Sequence, residues 1–159
     1  MTDPKRELLR HSVATVAYRG GKAVRNAPEG FGEFRGCPSG RTAGRILAHI
    51  GDLFDWALSI AQGAQRWSDS KPLTWDKETE RFFGALQRFD DYLASSAPLH
   101  ETPEKLLQAP IADALTHIGQ IAMLRRMADS PIKGEGYITS EIIVGRVGAE
   151  QAPPNQEFG

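Results

Sequence analysis

TAGRILAHIGDLFDWALSIA, residues 42–61, places apolar side chains at the period of an α-helix. Ile46, Ile50, Leu53, Ala57 and Ile60 follow one another at spacings of three and four. At about 100° per residue these positions stack on one face, which must be buried against something. Trp56 and His49 lie on the flank of that face. No strand-like alternation competes with the helical period here or elsewhere in the chain.

Three further segments carry the same period. The first runs from Pro4 to Arg25, with Asp3 as N-cap and a modest apolar face of Leu9, Val13 and Val16. The third spans Asp76 to Ser95, with Phe82, Leu86, Phe89 and Leu93 inward and Phe83 and Tyr92 beside them. The fourth is expected to start at Pro110, which suits a first helical turn, and to end near Ala128 before Asp129-Ser130-Pro131. Ahead of it, APLHETPEKLLQAP reads as a turn region with room for one helical turn after Pro103.

Four such helices make an all-α four-helix bundle the expected fold, with residues 1–130 as the bundle. Residues 131–159 read as an extended C-terminal tail packed on it within the same domain, with ITSEIIV as one short β-prone run. The connections over residues 27–41 and 62–75 exceed a tight antiparallel turn. The second could stretch to roughly 45 Å, against roughly 30 Å for a 20-residue helix. One of them can therefore cross the whole bundle and leave two neighbouring helices parallel.

Composition narrows the function. A chain of 159 residues can bury one sizeable core, and 40% hydrophobic with 25% charged residues is ordinary for a soluble domain. A net charge of −1 argues against binding nucleic acid through bulk charge. The lone cysteine, Cys37, excludes an internal disulfide and a cysteine-rich zinc site. No apolar leader opens the N-terminus and no run approaches a membrane span, so a cytoplasmic setting without membrane contact is expected.

Chemistry concentrates in DALTHIGQIAMLRRM, residues 113–127. Asp113, His117, Gln120 and Leu124 fall within roughly 60° of one another on a helix, beside the apolar Ala114, Ile118 and Ile121. A carboxylate and an imidazole one turn apart can hold one metal ion. His49, flanking the core face of the second helix, supplies a third donor of the kind bundles bring together from facing helices. Two readings fit: core-edge histidines bonded to backbone or water, or an open divalent site for Zn, Ni, Fe or Mn on His49, Asp113 and His117. Gln120 is then a partner that orients a ligand, or a plain edge amide. Asp52 is expected to be solvated, with a fourth ligand or general base as the secondary role. Trp56 and Trp75 are pocket-mouth or core aromatics. Cys37 is expected to be inert. Arg125 either snorkels at the helix end or reaches a carboxylate, and Arg126 points to solvent or the tail. Of the remaining histidines, His100 is expected to face solvent, while His11 is open between surface and partial burial.

AGRILAHIGDLFDWAL followed by DALTHIGQIAMLRRM resembles the DinB/YfiT-like superfamily, and the likeness is most specific over His117 to Ile121. Members carry one histidine in the second helix and an H-x-x-x-H pair in the fourth. The tail GYITSEIIVGRVGAEQAPP is similar to the C-terminal extension of some members. The resemblance implies an up-down-down-up bundle with a long crossover and metal ligands at His49, Asp113 and His117. Asp113 stands where the first histidine of the pair is usual, and Ile118 where an arginine is usual. The implied activity is that of a metal-dependent hydrolase or thiol transferase, acting on a small-molecule substrate with water or a low-molecular-weight thiol. Homodimers are common in the family. The rival class is a non-catalytic, metal-free bundle that binds a small ligand or serves in stress.

Overall fold

The computed structural model describes residues 3–159, so Met1 and Thr2 lie outside it. Three long helices come first: α1 (Pro4–Val24), α2 (Ala43–Ala61) and α3 (Trp75–Ala94). The fourth rod is composite. A single turn, α4 (Pro103–Leu106), passes through a π-helical segment, Leu107–Ile111, into α5 (Ala112–Met127). Side-chain caps start three of the elements: Asp3 accepts from the Lys5 N–H, Thr42 from Arg45 and Thr102 from Lys105.

The fourth rod therefore begins at Pro103, and Pro110 lies inside it rather than in its first turn. Proline has no N–H to give to the preceding turn, and its ring crowds the carbonyl four residues back. The widened π segment absorbs both problems, and the helix continues without a break.

Side-chain pairings fix the direction of every helix. Gly20 meets Phe82 while Arg10 pairs with Asp90, so α1 and α3 are antiparallel. A Cβ at Gly20 would lie 2.6 Å from the Phe82 ring, so this crossing needs glycine. Lys5 meets Glu104 of α4 at one end and Arg125 of α5 meets Ala23 at the other, which makes α1 and the composite fourth rod parallel. Arg81 reaches the Ala48 carbonyl and Tyr92 the Ala61 carbonyl, so α2 and α3 are parallel as well. His49 packs against His117 and Ile46 lies near Leu124, so α2 and α5 are antiparallel. The bundle is up-down-down-up, and residues 62–74 form the long crossover between α2 and α3.

The core follows the expected faces, with Leu9, Val13, Val16, Phe82, Leu86, Phe89 and Leu93 all buried. On α2 the buried face is broader than the stripe read from the sequence. Leu47 and Phe54 are buried, whereas Ile60 is half-buried. None of the described helices is long and apolar enough to cross a membrane.

The tail lies along α1. Glu135 is buried and accepts hydrogen bonds from Tyr18, Lys22 and Ser140. Burial alone would raise its carboxyl, but Lys22 and these hydroxyls outweigh that and hold it below the ordinary value. ITSEIIV is not a strand. Tyr137–Thr139 makes a 3-10 turn and Ile142 packs on the core. The two short strands, Gly134–Glu135 and Glu157–Phe158, pair antiparallel with each other instead. A β-prone run gains its hydrogen bonds only from a partner edge, and the bundle offers side chains rather than open backbone.

Glu78 departs from good satisfaction. It is 1% exposed, neither carboxylate oxygen has a hydrogen-bond partner, and the nearest cation, Arg81, stands 3.7 Å away. Burial pushes its carboxyl up, only partly opposed by Arg81. A carboxyl raised in the folded state loses stability as pH rises from the ordinary carboxylate value through the raised one. Glu78→Gln is therefore expected to be more stable than the parent by about 1 kcal/mol at neutral pH, with the gain shrinking in acid. Urea unfolding at several pH values checks this, and a less stable variant at neutral pH would show that the Arg81 contact outweighs burial.

Candidate metal centre

Mid-helix positions on two antiparallel rods face each other at the centre of the α2–α5 seam. α2 presents His49 one turn before Asp52, and α5 presents Asp113 and His117 one turn apart on the side toward α2. The two imidazoles lie with ring centroids 4.5 Å apart. The Asp113 carboxylate divides itself between them, with Oδ2 at 3.5 Å from His49 Nε2 and Oδ1 at 3.4 Å from His117 Nδ1. One donor atom from each residue falls within 4.8 Å of the others. Tetrahedral donors on an ion at about 2.1 Å sit about 3.4 Å apart, close to the 3.5 Å between Asp113 Oδ2 and His49 Nε2.

His117 also shows which of its nitrogens is free. Its Nδ1 lies 2.8 Å from the backbone carbonyl of Asp113. A carbonyl only accepts, so Nδ1 carries the proton and donates, which leaves the lone pair on Nε2. Such a bond to the second nitrogen is the usual way a metal-ligating histidine is held in orientation. The burial is graded: His117 is buried, His49 half-buried, and Asp113 is the most open of the three. With neutral imidazoles the trio carries one negative charge, suited to a divalent cation.

Around the trio the structure separates the remaining sequence candidates. Asp52 is neither solvated nor a ligand. It is 2% exposed, its two oxygens accept from the N–H and hydroxyl of Ser70, and it is paired with Arg81. Arg81 can approach α2 because Gly51 has no side chain, and a Cβ there would meet its guanidinium at 2.8 Å. Trp56 packs edge-to-face on Trp67, and Trp67 in turn packs against the His49 ring at 5.5 Å. Trp75 lies away from the site, against Phe31, with its indole N–H donated to the Val24 carbonyl. Gln120 is exposed beside His117 in a cleft of about 550 Å³, and Cys37 lines the same cleft. His11, His100 and Arg126 are exposed.

Arg125 resolves differently from either sequence reading. It is 4% exposed and donates all five guanidinium N–H bonds, to the carbonyls of Ala23, Arg25, Asn26 and Ser130 and to the Ser130 hydroxyl. It touches no carboxylate; it closes the C-terminal end of α1. Sequence reasoning missed this role, and it missed Trp67 and Arg81 too. For Trp67 and Arg81 only the crossover path brings the contact about.

No protein-family model, curated protein or solved structure matches the chain, so the chemistry of the site rests on its own residues. What these establish is a His49–Asp113–His117 cluster able to hold a metal ion.

The tautomer is directly testable. In metal-free protein at about pH 8, long-range proton–nitrogen NMR is expected to show neutral His117 rings carrying their proton on Nδ1. A His117 ring protonated at Nε2 would contradict the bond to the Asp113 carbonyl.

Proposed function

We propose that the chain is a metal-binding bundle of the DinB/YfiT-like type, acting as a small metal-dependent enzyme of the hydrolase or thiol-transferase kind. The observation that carries this reading is the convergence of two imidazoles and a carboxylate from α2 and α5, one of which, His117, lines an open cleft. Three protein donors leave coordination positions for water or a substrate atom, the arrangement of catalytic rather than structural sites.

His49, Asp113 and His117 would hold the ion. A divalent ion bound there supplies Lewis acidity and lowers the pKa of a coordinated water or thiol. The protein's part is orientation and exclusion. The Asp113 carbonyl fixes the His117 ring, Trp67 covers one side of His49, and Ile46, Met123 and Leu124 give the cleft an apolar wall. Asp113, in place of the family's usual histidine, makes the donor set harder and adds a charge, which favours Mn and Fe relative to a three-histidine site.

Tag-free protein loaded with Zn²⁺, Ni²⁺, Mn²⁺ or Co²⁺ is expected to hold about one ion per chain for at least one of these metals, with affinity falling more than about tenfold in His117→Ala. Asp113→His is expected to shift preference toward Zn²⁺ and Ni²⁺ over Mn²⁺. Substoichiometric metal unaffected by His117→Ala would overturn the metal centre and leave the ligand-binding bundle as the surviving reading. Where metal is held, a screen of thiols against small electrophiles, and of ester and amide hydrolysis, tests the enzymatic part. Retained metal with no turnover in either screen would count against it.

Ni²⁺ or Cu²⁺ at this centre is expected to quench tryptophan fluorescence through the Trp67–His49 contact. Most of that quenching should vanish in Trp67→Phe while metal stoichiometry stays unchanged. Undiminished quenching in that variant would place the ion elsewhere.

A further inference from the structure

The cleft that ends at His117 runs toward the N-terminal end of α2, and its lining is unusual for a protein with this many charges. Ile46, Met123 and Leu124 form an apolar wall, Gln120 offers an amide, and Cys37 and Arg41 stand at the loop side. Among the described residues, the exposed Arg41 is the one permanently charged residue of the lining, and no carboxylate belongs to it. Among the described residues no carboxylate comes within 4.0 Å of the Arg41 guanidinium. Its neighbour Arg45, outside the cleft, faces Asp69 at 4.0 Å. Gln120 makes no hydrogen bond with a described residue, so its donors and acceptor are free.

We propose that this cleft binds a small amphipathic anion: a ligand with an apolar body on Ile46, Met123 and Leu124 and a carboxylate or similar group on Arg41. This rests on the reading of the His49–Asp113–His117 cluster as a ligand centre, which the cleft meets at His117, and it names the ligand class. The size fits, since small-molecule sites commonly occupy about 300–1,000 Å³ and pair an apolar lining with a few placed polar groups. An unpaired guanidinium is a fixed, planar donor fork that matches a carboxylate. A cationic ligand would meet Arg41 with no compensating acid in the lining. A neutral apolar one would leave Arg41 and Gln120 unused.

The lone cysteine makes the test simple, because Cys37 lies in the cleft, is exposed and is the chain's only thiol. The full-length, metal-free protein is labelled at Cys37 with an anionic and a cationic methanethiosulfonate, each leaving a mixed disulfide and methanesulfinate. The labelling is then repeated with hexanoate, hexanamide or hexylamine as competitor.

The anionic reagent is expected to react several-fold faster than the cationic one, and hexanoate to protect Cys37 best. Arg41→Gln should erase both preferences, while Arg45→Gln, which removes a neighbouring exposed cation outside the cleft, should keep them. Equal protection by all three competitors, no protection by any, or a preference surviving Arg41→Gln would each overturn the proposal. Because no metal is present, the result stands apart from the metal question. Anion preference without metal binding would sink only the metal centre, and metal binding without anion preference would sink only this inference.

Discussion

Asp52 is the buried carboxylate on which the arrangement of α2, α3 and their crossover depends. Two neighbouring helices that run parallel cannot be joined by a tight turn, so the chain must travel the length of the bundle between them. A connection of that length needs anchoring. Both Asp52 oxygens accept from Ser70 near the end of the crossover, while Arg81 from α3 pairs with the same carboxylate. Ser59 holds the earlier part by exchanging hydrogen bonds with Arg66. A buried ion pair is stabilising only when its remaining polar atoms are satisfied, and Ser70 completes that requirement here. Arg81 then reaches the Ala48 carbonyl, next to His49, so the network that fixes the parallel pair also fixes the helix segment carrying one site histidine. Trp67 reaches His49 only because the crossover is held in this path.

Arg125 does the equivalent work at the other end of the molecule. The last carbonyls of α1 have no helical N–H to accept, and they lie where the chain leaves the bundle. One planar guanidinium with five donors satisfies three of the carbonyls around this exit and ties them to Ser130 beyond α5. Burial lowers the Arg125 pKa, yet guanidinium stays charged and never becomes an acceptor, so the cap holds. α1 and α5 are thereby registered against each other. α5 in turn carries Asp113 and His117 to the level of His49.

Much of this was legible in the residues, and the unread part has a common cause. The helices showed because each buries a face of fixed period. The stripe on α2 was drawn too narrow because α2 contacts both α3 and α5, which buries Leu47 and Phe54 as well. The three donors of the site could be named because each lies on a helix whose buried side was already marked by its neighbours. Asp52 looked like a solvated acid because its partner, Arg81, is 29 residues away on another rod, and no local pattern announces that meeting. Glu78 carries no such signal either: it sits in the first turn of α3, where an acid usually faces water, yet the packing of α3 encloses it. Pro110 followed a sound rule about helix starts, and a π segment evaded the rule.

Asp113 sets the cluster apart from one built of three histidines. A third imidazole there would be neutral and would offer one donor atom at a time. The carboxylate offers two, and it already turns one oxygen toward each histidine across the seam. It therefore favours polar hydrogens or a cation in the gap, and it would compensate one of the two charges of a divalent ion held there. The same residue lends its backbone carbonyl to His117. Side chain and main chain of one position thus hold two parts of the cluster, its charge and the tautomer of its most buried histidine. A substitution that changes only the Asp113 side chain would alter the first and leave the second in place. The donor set can therefore be retuned without losing the ring orientation that makes it a site.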